Sequence, residues 1–165
     1  MIDLRDGGGP VKRAVVRCLF GVAAAAISVA FNSTAHSQEA LIAYRVENGM
    51  IGAPLTREAG DAARGQAAML SRDAGNCFLC HSFPDAGQTP LGDIGPPLAG
   101  VGERSTAAQL RLRLVDSTRI NPQSVMPAYY RIERLHQVAA AYRGKPLLTA
   151  QQIEDVIVYL LTLRN

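Results

Sequence analysis

Two thiols and an imidazole lie within five consecutive residues near the middle of the chain, at Cys77, Cys80 and His81. The segment Cys77-Phe78-Leu79-Cys80-His81 has the C-x-x-C-H pattern of covalent c-type haem attachment. Two intervening residues allow one tight helical turn to present both sulfurs to the vinyl groups on one porphyrin edge. The adjacent histidine can then turn under the ring and bind iron through Nε2. The motif predicts one covalent haem c, with His81 as an iron ligand.

Two other chemistries use closely spaced cysteines. A structural zinc site needs four ligands, commonly two cysteine pairs, and the only other cysteine is Cys18 near the start of the chain. A thioredoxin-like motif follows a strand in a βαβ unit, whereas helix and loop patterns flank this one. The haem interpretation is therefore favoured, and a haem-free thiol-redox or metal-binding module is kept as an alternative.

A sixth iron ligand would have to come from the opposite face of the haem, where electron-transfer cytochromes commonly use methionine. Met126 is the favoured candidate because prolines stiffen its loop, residues 121–127, on both sides. Met69 is expected to pack in the core, Met50 lies near the start of the mature chain, and His136 is the alternative distal ligand. With both axial positions filled, the haem would transfer electrons and leave no open site for oxygen or peroxide.

Helix signals account for most of the remaining pattern. Asp61 is expected to cap a helix that runs to about Ser71, and Ser105 could cap another through about Asp116. A capping box starts a last helix at Thr149. Its apolar residues recur at helical spacing, namely Ile153, Val156, Ile157, Leu160 and Leu161. Strand signals are weak, so the sequence predicts an all-α protein.

The first 37 residues have the composition of a signal peptide. An apolar run at 18–31 follows a basic start, and small residues at Ala35 and Ser37 suit cleavage. The run is shorter than the ~20 residues that span a bilayer, so a periplasmic mature protein without a membrane span is predicted. Removing this leader lowers the formal net charge of +3 to about +1, and nucleic-acid binding has no support.

The segment Gly95-Pro96-Pro97-Leu98 resembles the G-P-x-L element of class I cytochromes c. That resemblance implies that the Pro96 carbonyl accepts a hydrogen bond from His81 Nδ1 and that Leu98 packs on the haem. It also implies that Gly65 lets the first helix cross closely over the last. A plain turn is the alternative explanation of the segment. The expected organisation is an N-terminal extension at 38–60 and a class I cytochrome c-like domain at 61–165.

Longer stretches, 75–130 and 142–164, resemble the SoxX family, the small monohaem subunits of thiosulfate-oxidising SoxAX complexes. The resemblance implies that Cys77 and Cys80 attach haem, with His81 as the proximal and Met126 as the distal ligand. It also implies a heterodimer with a SoxA-like cytochrome and contact with the carrier SoxYZ through that complex. The complex would act as an L-cysteine S-thiosulfotransferase, in which this subunit only transfers electrons to a downstream acceptor.

Three functional hypotheses therefore follow from the sequence. The first is the electron-transfer subunit of a thiosulfate-oxidising complex. The second is a free-standing periplasmic cytochrome that shuttles electrons between other enzymes, and the third is the haem-free module.

Overall fold

Short helices joined by long loops make up the computed structural model, which describes residues 41–84 and 92–164. The predicted signal peptide lies outside the described residues. The α-helices are α1 (Ala62–Leu70), α2 (Val101–Arg104), α3 (Ala107–Asp116) and α4 (Ala150–Thr162), and the 3₁₀ turns are Cys77–Leu79, Ser117–Arg119 and Ala140–Tyr142. The only extended pairing in these ranges is one bridge, Glu47 with Met50. The predicted all-α class is confirmed, and no described helix has the length and apolar character to cross a membrane.

Helix α1 begins where its cap was predicted. The Asp61 side chain accepts a hydrogen bond from the Arg64 N–H at 2.8 Å, which satisfies one of the free donors at the start of the helix. After Leu70 the chain turns extended at Ser71, whose N–H still donates to the Ala67 carbonyl. Met69, on the buried side of α1, is 1% exposed, so the prediction that it packs in the core is confirmed.

Helix α4 has the predicted capping box and apolar stripe. The Gln152 N–H donates to Thr149 Oγ1 at 3.1 Å, and the Gln152 side-chain oxygen accepts from the Thr149 N–H at 2.9 Å. Four members of the stripe are buried and Leu161 is half-buried. The apolar face of α4 therefore forms one side of the hydrophobic core.

Helix α3 starts one residue later than the sequence suggested. Its N-cap is Thr106, not Ser105, because only Thr106 has a glutamine three residues on, Gln109, to complete a capping box. The three leucines of this helix, Leu110, Leu112 and Leu114, are all buried. Helix α3 is thus a core element.

Helices α1 and α4 cross in direct backbone contact at Gly65. A Cβ atom built on Gly65 would collide with the carbonyl group of Asp155 and would lie 2.9 Å from the Val156 nitrogen. Only a residue without a side chain permits this approach. The close crossing implied by the cytochrome resemblance is therefore present.

A buried ion pair joins α3, α4 and the segment before α1. Arg111 donates to both carboxylate oxygens of Glu154, at 2.7 and 2.8 Å, and to the Ile51 carbonyl at 2.8 Å. The Leu55 N–H also donates to Glu154, at 2.8 Å. Because a buried charge must be paired and hydrogen-bonded, this network fixes the described part of the predicted extension against the core.

The segment between Arg131 and Val138 is irregular and contains no helical turn. Arg134 and Gln137 both have a φ of +54°, a left-handed conformation that interrupts a right-handed helix. His136 lies between them and is exposed.

Candidate haem site

A tight turn presents the two cysteines. Asn76 enters it with a φ of +50°, and a 3₁₀ turn follows over Cys77–Leu79. The N–H groups of Cys80 and His81 both donate to the Cys77 carbonyl, at 3.1 and 3.0 Å. This local hydrogen bonding brings two thiols and one imidazole into a single turn. Both cysteines are free; Cys77 is buried and Cys80 is half-buried.

The environment of Cys77 does not suit redox chemistry of the free thiol. Burial raises the pKa of the Cys77 thiol to about 11, although hydrogen bonding to the Tyr129 hydroxyl opposes that rise. The same hydroxyl donates to the Gly75 carbonyl at 2.9 Å. Reactive cysteines have lowered pKa values because the thiolate is the nucleophile. A buried thiol with a raised pKa therefore argues against thiol-redox activity at Cys77.

The imidazole of His81 is held through one ring nitrogen. Its Nδ1 lies 2.7 Å from the Pro96 carbonyl oxygen. Since a carbonyl can only accept a hydrogen bond, Nδ1 carries a proton, and in the neutral imidazole Nε2 then has a free electron pair. This is the tautomer that a metal-binding histidine requires when a second group orients it.

Gly95 forms one wall of the imidazole pocket. Its N–H donates to the Cys80 carbonyl at 2.7 Å. A Cβ on Gly95 would lie 2.6 Å from His81 Nδ1 and 2.8 Å from Nε2, well inside contact distance. The ring therefore packs flat against a glycine backbone, in one orientation. Together with the free electron pair of Nε2, this pocket shows that the residues present fit a covalently attached haem.

Leu98 connects the same loop to the core. Its N–H donates to the Ser82 carbonyl at 2.8 Å, and its half-buried side chain packs against the core cluster. On the outer side of the motif, Leu79 and Ile94 are 56% and 69% exposed. The polypeptide therefore leaves apolar side chains uncovered on both chain segments beside the attachment turn.

Met126 lies in an irregular loop after the 3₁₀ turn that follows α3. Its carbonyl accepts from Ser117 Oγ at 2.9 Å, and its N–H donates to Ser124 Oγ at 3.3 Å. The side chain is half-buried against the core, and Val125 beside it is 80% exposed. Of the two distal candidates, Met126 is thus held at the core boundary, whereas His136 is exposed.

Sequence reasoning missed two residues that shape this site. Tyr129 was overlooked because its contacts with Gly75 and Cys77 span about fifty positions. Gly95 was considered only as part of a motif, although its lack of a side chain is what admits the imidazole. The sequence did contain a signal for this contact, namely a glycine directly before the two prolines, because Gly is common where a backbone approaches another group closely.

Comparison with known proteins agrees with this geometry. The family model for cytochrome c matches residues 62–164. A crystal structure of SoxXA from P. pantotrophus contains a chain that is 35% identical, with a TM-score of 0.67; the match covers 74% of this chain and 95% of that one. The c-type cytochrome SorU from Sinorhizobium meliloti is 25% identical, with a TM-score of 0.41, over 62% of this chain and 90% of that one. None of the curated proteins compared with the chain matches it.

Fold, site and family model together define a c-type cytochrome, and the chain belongs to the cytochrome c family. It has the class I cytochrome c-like fold, binds haem c covalently and has an electron-transfer role. Within that family it is a SoxX-like cytochrome, since its match to the SoxXA chain extends over nearly all of that chain.

Proposed function

We propose that this protein is the periplasmic electron-transfer subunit of a SoxAX-type complex in thiosulfate oxidation. The observation that carries the proposal is the 35% identity over 95% of a SoxXA chain. A general electron carrier would share the haem motif, but the likeness here extends through the loops that follow it.

In this proposal each site residue has one role. Cys77 and Cys80 would hold the haem through two thioethers, and His81 Nε2 and the Met126 sulfur would supply the two side-chain ligands of its iron. When bound, the haem supplies a one-electron couple, and a histidine–methionine pair raises its potential. The Pro96 carbonyl keeps the His81 proton on Nδ1. Leu98 would pack against the haem and keep water from the side on which His81 lies.

The proposed partner is a SoxA-like cytochrome, with SoxYZ reached through the complex. Oxidative conjugation of thiosulfate to a cysteine thiol forms an S–S bond and releases two electrons and one proton. This subunit receives those electrons one at a time and passes them to a downstream acceptor. With His81 and Met126 as its two iron ligands, the haem would serve electron transfer alone, and the transferase chemistry of the complex would belong to the partner subunit.

Co-expression with a SoxA-like subunit tests the complex. We expect the two chains to co-purify through size exclusion as a one-to-one complex, in which the haem of this subunit is reduced when thiosulfate and SoxYZ are added. The single-subunit preparation serves as the control. A chain that stays monomeric in the presence of the partner, yet is reduced by unrelated dehydrogenases, would instead support the free-standing shuttle.

The distal ligand is tested by replacing each candidate separately. Met126→Ala is expected to remove the far-red charge-transfer band of ferric methionine-ligated haem and to lower the potential, because axial ligand identity is a main determinant of it. His136→Ala is the matched control and should leave both unchanged. The opposite pattern would assign the distal position to His136.

A further inference from the structure

Among the described residues, few hydrogen bonds hold the shape of the loop at 95–99, although the Pro96 carbonyl must stay in line with the imidazole. It contains no helix or extended pairing, and its two prolines have no N–H to donate. Two backbone hydrogen bonds tie it to the haem motif and to the residue that follows the motif. They run from Gly95 to the Cys80 carbonyl, at 2.7 Å, and from Leu98 to the Ser82 carbonyl, at 2.8 Å; a third, from the Val101 N–H to the Leu98 carbonyl at 3.0 Å, joins the loop to α2.

Arg104, the last residue of α2, supplies the missing support. Its Nη2 donates to the Pro97 carbonyl and its Nη1 to the Ala99 carbonyl, each at 2.6 Å. A guanidinium is planar and permanently charged, and it can donate two hydrogen bonds in a fixed fork. The two short bonds therefore hold the loop at the carbonyls of Pro97 and Ala99, the first of which comes directly after Pro96.

The clamp acts on the Pro96 carbonyl through the covalent geometry of the next residue. The ring nitrogen of Pro97 shares a planar peptide unit with that carbonyl, and the ring itself fixes the φ of Pro97. Once the Pro97 carbonyl is held, little freedom is left for the Pro96 carbonyl to rotate away from His81. We propose that Arg104 is a positioning residue, which fixes the imidazole plane and the Nδ1 hydrogen bond of the proposed iron ligand.

This inference rests on the proposed role of His81 and is tested in the holo-protein. Arg104→Lys keeps the charge but loses the fork, and Arg104→Ala loses both. In NMR of the reduced protein, we expect both variants to exchange the His81 Nδ1 proton with solvent about tenfold faster or more, because a hydrogen bond to a charged donor has been lost from the loop. Ferric EPR g-values, which respond to the orientation of the imidazole plane, should shift in the same two variants.

Arg143→Lys is the matched control, since Arg143 is also exposed and donates to a loop carbonyl, that of Val138, at 3.3 Å. In the Arg143→Lys variant, the exchange rate of the His81 Nδ1 proton and the ferric g-values should equal those of the wild type. Unchanged values in both Arg104 variants would overturn the proposal, as would an equal acceleration in the control. If His81 is not the iron ligand, its ring signals will lack the large haem-induced shifts in the wild type itself, a result distinct from failure of the clamp.

Discussion

Gly95→Ala places a methyl group where the His81 ring now lies. The new Cβ would collide with Cε1 of the ring and would lie 2.6 Å from Nδ1, whereas ordinary contacts begin at 3.4 Å, so the ring must move by about 1 Å relative to the loop. Because the methyl group presses on the face of the ring, it tilts Nδ1 out of line with the Pro96 carbonyl, and the hydrogen bond that is now 2.7 Å long is weakened by misalignment. The substitution therefore weakens the orienting bond without changing any charge.

The expected result is a higher reduction potential. A hydrogen bond at Nδ1 makes the imidazole more basic, which stabilises ferric over ferrous iron. Loss of about 1 kcal/mol of that bond corresponds to roughly 40 mV for a one-electron couple. Potentiometric titration of the holo-protein measures the change. Gly52→Ala is the control, because a Cβ there meets nothing within 4 Å. A Gly95→Ala protein with the wild-type potential and spectrum would refute the reasoning.

Two further substitutions test the helix crossing and its ion pairs. Gly65→Ala should destabilise the holo-protein by about 2 kcal/mol, because the new Cβ would collide with the Asp155 backbone. This loss corresponds to a decrease of roughly 10 °C in Tm. A Tm equal to that of Gly52→Ala would contradict the expectation. Burial alone would raise the pKa of Asp155, but hydrogen bonds from Arg64, the Asp61 N–H and a glutamine lower it. A lowered pKa stabilises the fold above the unfolded pKa of the carboxyl, and that stability is lost as pH falls through the folded pKa. Asp155→Asn should therefore be less stable at neutral pH and lose less stability in acid, as followed by thermal unfolding across pH; parallel pH profiles would argue against the ion pair.

Local signals in the sequence predicted the helix ends that depend on neighbouring residues. The Asp61 cap and the Thr149 box each involve residues three apart, so the pattern contains the whole interaction. The wrong choice of Ser105 as the N-cap of α3 also concerns a local signal. Ser105 and Thr106 are both good caps, and only the position of Gln109 decides between them.

The buried charges could not be predicted in this way. Glu154 and Asp155 stand beside an apolar stripe and look like solvent-facing residues, yet both are buried. Their partners, Arg111 and Arg64, lie 43 and 91 positions away, so the pairing exists only in the folded chain. The same reasoning applies to the haem site, where C-x-x-C-H is local but the Arg104 clamp requires the folded loop.

The bond between Glu154 and the Leu55 N–H has a consequence for local unfolding. Both α1 and the segment before it are held by groups on α4, which lie 94 and 99 positions further along the chain. Fraying of α4 would therefore release both segments at once. These distant parts of the chain should open and close as one cooperative unit.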